Sequence, residues 1–404
     1  MGGCAAGVPR RRVHLRERAL TVPLTPLRLS ILGIAAVPSV YYLVAIYSAW
    51  RHFRTTRQLT EEFTPPVSVL KPVRGLDPAS YENFASFCLQ DYGNYEILFA
   101  VADEDDPAIE IIRQLIADFP QRSIRLLIGA PNLGPSSKVN KLCRLAHEAS
   151  HDILVISDSD IRVASDYLRS VVAPFRDSRV GAVTCLYVGI TNGTTASELE
   201  ALGIATDFAA GVLTAWQLQG IRFALGATMV TTRERLQEIG GFEALVTYCA
   251  DDYQLGRRIA GRGYLIELPV HVVESECAVR TLREYLRHQL RWAITIRQSR
   301  PWGYAGLLLT HGQLWAAAAV AAVPTVAVAV GYVGAYVSLR LLMAWSVARW
   351  GLGGRVVQKW WLLPLRDALG FSVWCAALFR NRIQWRGREF ALNKGRLVPI
   401  VGES

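Results

Sequence analysis

The apolar positions of this chain fall into three zones. An uncharged run lies near the start, short apolar runs alternate with amphipathic ones in the middle, and further apolar stretches lie near the end. Ser30–Trp50 carries no charge over about 21 residues, and a spanning helix needs about 20. Tyr41, Tyr42, Tyr47 and Trp50 suit its outer turns, and Pro38 is placed to kink it. Gly306–Ser338 is also uncharged, and past Arg340 the run continues to Trp345. That is too long for one span of ordinary tilt. Pro324 sits near its middle, so the pattern predicts a membrane hairpin over 305–347. Trp360–Phe379 is apolar but interrupted by Arg366 and Asp367. A charge at mid-bilayer costs roughly 3 kcal/mol, so this segment is expected to lie at the interface or to pack against the hairpin.

The middle, from about Pro65 to Arg300, has a different rhythm. Val67–Lys71, Tyr95–Val101, Ile124–Ile128 and Asp152–Ile156 read as strands, with helical spacing over Tyr81–Leu89, Ile109–Phe119 and Lys138–Ala149. Alternating strands and helices predict an α/β domain built on a mostly parallel sheet. Leu282, Tyr285 and Leu286, with His288–Trp292, fit an amphipathic interfacial helix near 280–297. The expected organisation is a basic tail at 1–29, a transmembrane helix at 30–50, an α/β domain at 65–300, the hairpin, a helix at 360–379, and a basic tail at 380–404.

Composition sharpens this picture. Of 404 residues, 51% are hydrophobic and the formal net charge is +10. The arginines flank the apolar stretches, where they meet anionic lipid headgroups; this points to a bilayer as partner and away from nucleic acid. The seven cysteines are odd in number and contain no CxxC, so neither a disulfide framework nor a zinc site is expected. MGGC lacks the Ser or Thr at position 6 that myristoylation requires. The basic tail after Phe379 favours the cytosolic side. An N-terminal span plus a hairpin leaves the middle domain on that same side.

The chemistry lies in three acidic clusters. Ligands of parallel sheets sit beyond the carboxyl ends of the strands, and Asp103, Asp158 and Asp160 each follow a strand there. Alternate residues of an extended stretch share a face, so Asp158 and Asp160 can aim two carboxylates at one point. With phosphate oxygens they suit Mg²⁺ or Mn²⁺. No Walker A or GxGxxG motif occurs, so a nucleotide is held differently from one in an ATPase or a dehydrogenase. Asp251 and Asp252 precede a helix start, where they serve either as caps or as a general base. Arg291 is suited to neutralising a diphosphate leaving group, or, with Trp292, to meeting lipid headgroups.

The motifs LKPVRG (Leu70–Gly75), DEDDPAI (Asp103–Ile109), SKVNKL (Ser137–Leu142), DSDIRV (Asp158–Val163), ADDYQLG (Ala250–Gly256) and LRW (Leu290–Trp292) occur in this order. In this respect the chain resembles the ceramide glucosyltransferase family of inverting, nucleotide-sugar-dependent enzymes, together with the similar bacterial hopanoid-associated glycosyltransferases. The resemblance implies a GT-A fold and a UDP-sugar donor. It places nucleotide contact on Asp103, the metal and diphosphate site on Asp158 with Asp160, and the catalytic base on Asp252. Arg291 and Trp292 match the family's final motif, but His288 stands where that motif has Gln or Arg. Lys138, Asp251 and His288 are expected to join Asp103 and Asp158 around the donor. The implied reaction moves a hexose to the hydroxyl of a membrane lipid, glucose to ceramide first and N-acetylglucosamine to a hopanoid polyol second. A processive polysaccharide synthase and a non-catalytic lipid-binding scaffold are the rival readings. The expected location is the bacterial inner membrane, with the catalytic domain facing the cytosol.

Overall fold

The computed structural model describes residues 23–54, 63–351, 359–385 and 388–400. Residues 1–22 of the expected N-terminal tail and 401–404 of the C-terminal one lie outside these. The strands are β1 (Val67–Pro72), β2 (Tyr95–Val101), β3 (Ser123–Ile128), β4 (Ile153–Ile156), β5 (Ile161–Arg162), β6 (Val180–Thr184), β7 (Leu186–Thr191), β8 (Met229–Thr232), β9 (Leu265–Glu267), β10 (Val272–Cys277), β11 (Arg382–Trp385), β12 (Arg388–Asn393) and β13 (Arg396–Pro399).

The main sheet has the order β3-β2-β1-β4-β8-β6-β9. From β3 to β4 all pairs are parallel, whereas β8 runs antiparallel to both neighbours, so the sheet is mixed. β1 and β2 are buried along their whole length, as expected of strands covered on both faces. Val67, Val69, Ile97 and Phe99 pack on one face against Phe84, Phe87, Ile112 and Leu115 of the helices Ser80–Cys88 and Ala108–Asp118. Leu70, Leu98 and Leu154 face the other way, onto Val139, Leu142 and Leu145 of the helix Ser137–Glu148. The strand order reverses between β1 and β4, and such a switch point leaves a crevice at the carboxyl ends. A second sheet, β5-β10-β7, continues from the end of β4.

The apolar zones form helices Pro26–Phe53 and Val326–Gly351, both long and apolar enough to cross a membrane. At Pro324, where the sequence predicts a hairpin turn, helix Gly312–Ala322 ends and Val326–Gly351 follows. Its first arm is not a straight span, however: Pro301–Thr310 and Gly312–Ala322 meet at a bend of 57°. At 1.5 Å per residue, the second piece covers only about 16 Å of a roughly 30 Å core. Thr195–Gln219 is also long and apolar, but it is mostly buried inside the protein and contains a π-helical turn, Ile204–Phe208. The interrupting charges of helix Leu363–Leu378 turn inward. Arg340 bonds Asp367 at 2.7 Å and Asp207 at 2.6 Å, and Arg366 bonds Asp207 at 2.8 Å. Paired in this way, the charges avoid the cost of isolated ions in an apolar setting.

The segment expected to be a basic tail is mostly sheet. β11, β12 and β13 form an antiparallel meander. Its alternate residues Ile383, Phe390, Leu392 and Leu397 are buried against Ile294 and Tyr304.

Candidate active site

The carboxyl ends of β1 and β4 open into a cavity of about 600 Å³. Lys71, in β1, is fully buried, and its Nζ donates to the Asp158 carbonyl at 2.7 Å. The ammonium lies 3.9 Å from the centre of the Phe87 ring. Burial pulls it down to about 7, against the opposing charges of Asp160, Asp158 and Asp77. This is the cost of desolvating a cation that has no carboxylate bonded to it directly.

Asp158, Ser159 and Asp160 bridge the two sheets, between β4 and β5. The Asp158 carboxylate takes a 2.7 Å ion pair from Lys138, whose Nζ also lies 3.4 Å from Asp251. Burial opposes the charge on Lys138, yet Asp158, Asp251 and Asp252 together raise it above its ordinary value. Ser136 caps the helix Ser137–Glu148 and so sets Lys138 at its first turn. The Ser275 hydroxyl donates to Asp160 at 2.9 Å. Burial, then the charge of Asp158, pushes Asp160 up to about 6. Two carboxylates that repel one another in this way form a donor set that a hard divalent cation relieves. Mg²⁺ is commonly held by one or two carboxylates plus substrate phosphates. The absence of a cluster of three or more His, Cys, Asp or Glu among the described residues is therefore compatible with the fit.

Asp251 and Asp252 open the helix Asp251–Gly261. Gly256 lets this helix approach the Phe223–Ala224 backbone, which a Cβ would strike. Asp252 accepts from the Tyr253 amide at 2.7 Å. Burial, then the Asp251 charge, raises Asp252 to about 6, with Lys138 opposing. Burial likewise raises Asp251, moderated by Lys138. Gly226 sits against both acids: a Cβ there would lie 3.3 Å from Asp252 Oδ2 and 3.4 Å from Asp158 Oδ2.

The helix Leu282–Ser299 closes the cavity with His288, Arg291 and Trp292. A capping box of Thr281 and Glu284 fixes its start. The His288 and Trp292 rings lie 4.7 Å apart, and His288 Nδ1 pairs with the buried Glu200 carboxylate. Tyr187 sits among the acids: burial, then the charges of Asp252, Asp160 and Glu200, hold its hydroxyl well above the usual range.

Of the residues expected from the sequence, Lys138, Asp158, Asp160, Asp251, Asp252, His288, Arg291 and Trp292 all line this one cavity. Asp103 does not. It is exposed at the end of β2. The buried acid of that run is Asp106, which accepts from the amides of Gly75 and Ala108 at 3.0 Å and so ties down the loop after β1. Sequence reasoning overlooked Lys71, Asp77, Tyr187, Glu200 and Trp385. Lys71 stands inside the LKPVRG motif, which was its available signal.

The mixed sheet and the acid-lined crevice at its strand ends make an α/β domain of the GT-A class, with apolar helices on both sides of it. The chain belongs to Glycosyl transferase family 21, whose description matches residues 30–398. It is 26% identical over 295 residues to ceramide glucosyltransferase 3 of Caenorhabditis elegans, covering 69% of this chain and 60% of that one. Ceramide glucosyltransferase 1 of the same organism is 29% identical, covering 63% and 55%. The chain thus spans a little over half the length of these relatives. A mannosyltransferase from Pyrobaculum calidifontis, solved with GDP-mannose and Mn²⁺, shares the fold with a TM-score of 0.53 at 19% identity, covering 87% of this chain and 99% of that one.

Proposed function

We propose that this protein is an inverting glycosyltransferase that moves glucose from UDP-glucose to the primary hydroxyl of ceramide at a membrane surface. The observation that carries the reading is the single cavity joining the Asp158–Asp160 pair to Asp252, Arg291 and Trp292. Its family and its ceramide glucosyltransferase relatives support a lipid acceptor.

In this mechanism Asp252 takes the proton from the acceptor hydroxyl as its oxygen attacks the anomeric carbon and the bond to UDP breaks. A base raised to about 6 is ionised at neutral pH, yet is more basic than an ordinary carboxylate. Lys138 and Arg291 supply positive charge to the diphosphate, and the nucleotide contact stays with Asp103, which is exposed after β2. Asp158 and Asp160 would hold Mg²⁺ or Mn²⁺, which neutralises the charge developing on departing UDP. We place the catalytic domain on the cytosolic face of a bacterial inner membrane, where nucleotide sugars are made.

The test is transfer by the purified protein in mixed vesicles, with UDP-glucose and UDP-N-acetylglucosamine each offered ceramide and a hopanoid polyol. Glucosylceramide as the main product supports the reading, and glycosylated hopanoid replaces ceramide by the second acceptor. Polymer without lipid product makes it a polysaccharide synthase, and no turnover at all makes it a binding protein.

A further inference from the structure

The cavity does not end at the catalytic groups. It follows one face of the helix Leu282–Ser299 from His288 past Thr295 to Ser299 and Arg300. Twelve residues of helix separate His288 from Arg300, about 18 Å at 1.5 Å each. Toward Arg300 the lining adds two apolar side chains, Ile296 from the helix and Trp385 from β11, beside Thr295, Ser299 and Arg300. Just beyond, Trp302 is 89% exposed and Phe379 88%. Aromatic side chains left in the open next to apolar helices are the mark of a membrane interface.

Trp385 reaches the cavity because the C-terminal meander is bound to the loop before the catalytic acids. The Cys249 amide donates to the Gly395 carbonyl at 3.0 Å, and the Leu397 amide to the Thr247 carbonyl at 2.7 Å. The β12–β13 turn that makes these bonds uses Lys394 and Gly395, both at positive φ. The Lys394 amide donates to Gln298 on the helix at 3.0 Å. Arg396 lies over the Tyr248 ring at 5.3 Å. Asp251 is two residues past Cys249. The meander therefore holds both the catalytic loop and the far end of the cavity.

We propose that the C-terminal sheet completes the acceptor site, with Trp385 and Ile296 forming the wall that receives the hydrocarbon of a membrane lipid next to its hydroxyl-bearing headgroup. This rests on the reading above that the acceptor is a lipid. The occupant follows from the continuity of the wall with the exposed aromatic residues and from its sharing one cavity with Asp252, which suits a substrate with its polar end at the acids and its apolar body toward the bilayer. Trp385 is then a specificity-determining residue that acts on the acceptor and not on the donor.

The experiment has two arms, both on the full chain in vesicles. Trp385→Ala should raise the acceptor KM on the order of 10–100-fold, the range expected for losing an aromatic contact, while the UDP-sugar KM keeps its wild-type value. Trp385→Phe should restore most of the acceptor affinity. An unchanged acceptor KM in Trp385→Ala overturns the proposal, as does a parallel rise in both KM values. In the second arm, ceramide and a hopanoid polyol carrying a diazirine beside the headgroup are photolysed with wild-type protein, and the labelled peptides are mapped. Labelling of 296–300 and 382–385 supports the site whether or not sugar is transferred, so a failure of the transferase reading is seen separately. Labelling confined to other segments overturns it.

Discussion

Replacing Asp252 with Asn tests the centre of the proposed mechanism. The Asp252 carboxylate accepts one bond from the Tyr253 amide, and an asparagine oxygen can accept the same bond, so the shape is kept while proton acceptance is lost. A general base contributes on the order of 10²–10⁴ in rate, about 3–5 kcal/mol of barrier. Turnover should fall by that factor, while UDP binding, followed by calorimetry, should change little because Asp103, Asp158 and Asp160 remain. The pH profile provides a second test. Burial, helped by the Asp251 charge, raises Asp252 to about 6, and the base works only when ionised. Wild-type kcat/KM should therefore level off above pH 6 and fall about tenfold per unit well below it. Asp251→Asn removes a negative charge that helps to keep Asp252 protonated, so its acid limb should move to lower pH, with a milder loss at the plateau. The assay is the initial rate of UDP release at lipid concentrations well below KM, across pH 4.5–8, a range set by these values. Near-normal turnover in Asp252→Asn beside an inactive Asp251→Asn would refute the assignment and move the base one residue back.

Four further outcomes are expected. EDTA should abolish transfer and Mg²⁺ or Mn²⁺ should restore it; full activity in chelator would remove the metal role from Asp158 and Asp160. Gly226→Ala places a methyl 3.3 Å from Asp252 and 3.4 Å from Asp158, so activity should drop about tenfold or more from displaced acids, with an unchanged circular dichroism spectrum. Arg340→Met leaves Asp367 and Asp207 short of a buried cation and should cost about 3–5 kcal/mol of stability, read from thermal unfolding in detergent; an unaltered melting temperature would contradict the network. Reporter fusions at Glu61 and after Ser404 should both lie in the cytosol, and a periplasmic signal from the second would mean that 360–379 crosses the bilayer.

Much of the catalytic domain was legible from local pattern. A short apolar run ending in an acid marks both a strand and the end of the sheet at which a ligand sits, and this pattern singles out Asp158 and Asp160; Asp252 stands out instead at the start of a helix. Local pattern does not reach contacts made between distant segments. In the run Asp103–Asp106 nothing local shows which acid is buried; it is Asp106, because its carboxylate meets the Gly75 amide from another loop. The arginines of 380–400 suggested a tail, although Ile383 and Trp385, then Phe390 and Leu392, alternate as strands do and Lys394-Gly395 supplies a turn.

By itself, the sequence determined the alternation of strand and helix, the carboxylates at the strand ends, and the apolar lengths at the two ends of the chain, because each is a property of neighbouring residues. The tertiary structure decided what those residues meet. Lys71 reads as an ordinary strand residue until β4 brings the Asp158 carbonyl to it across 87 positions. Glu200 reads as a helix-surface acid until His288 meets it 88 positions later. Arg340 and Asp367 read as interruptions of apolar runs until two helices place them face to face. Burial and charge pairing arise from the packing of distant segments, so only the fold could turn these polar residues into a site.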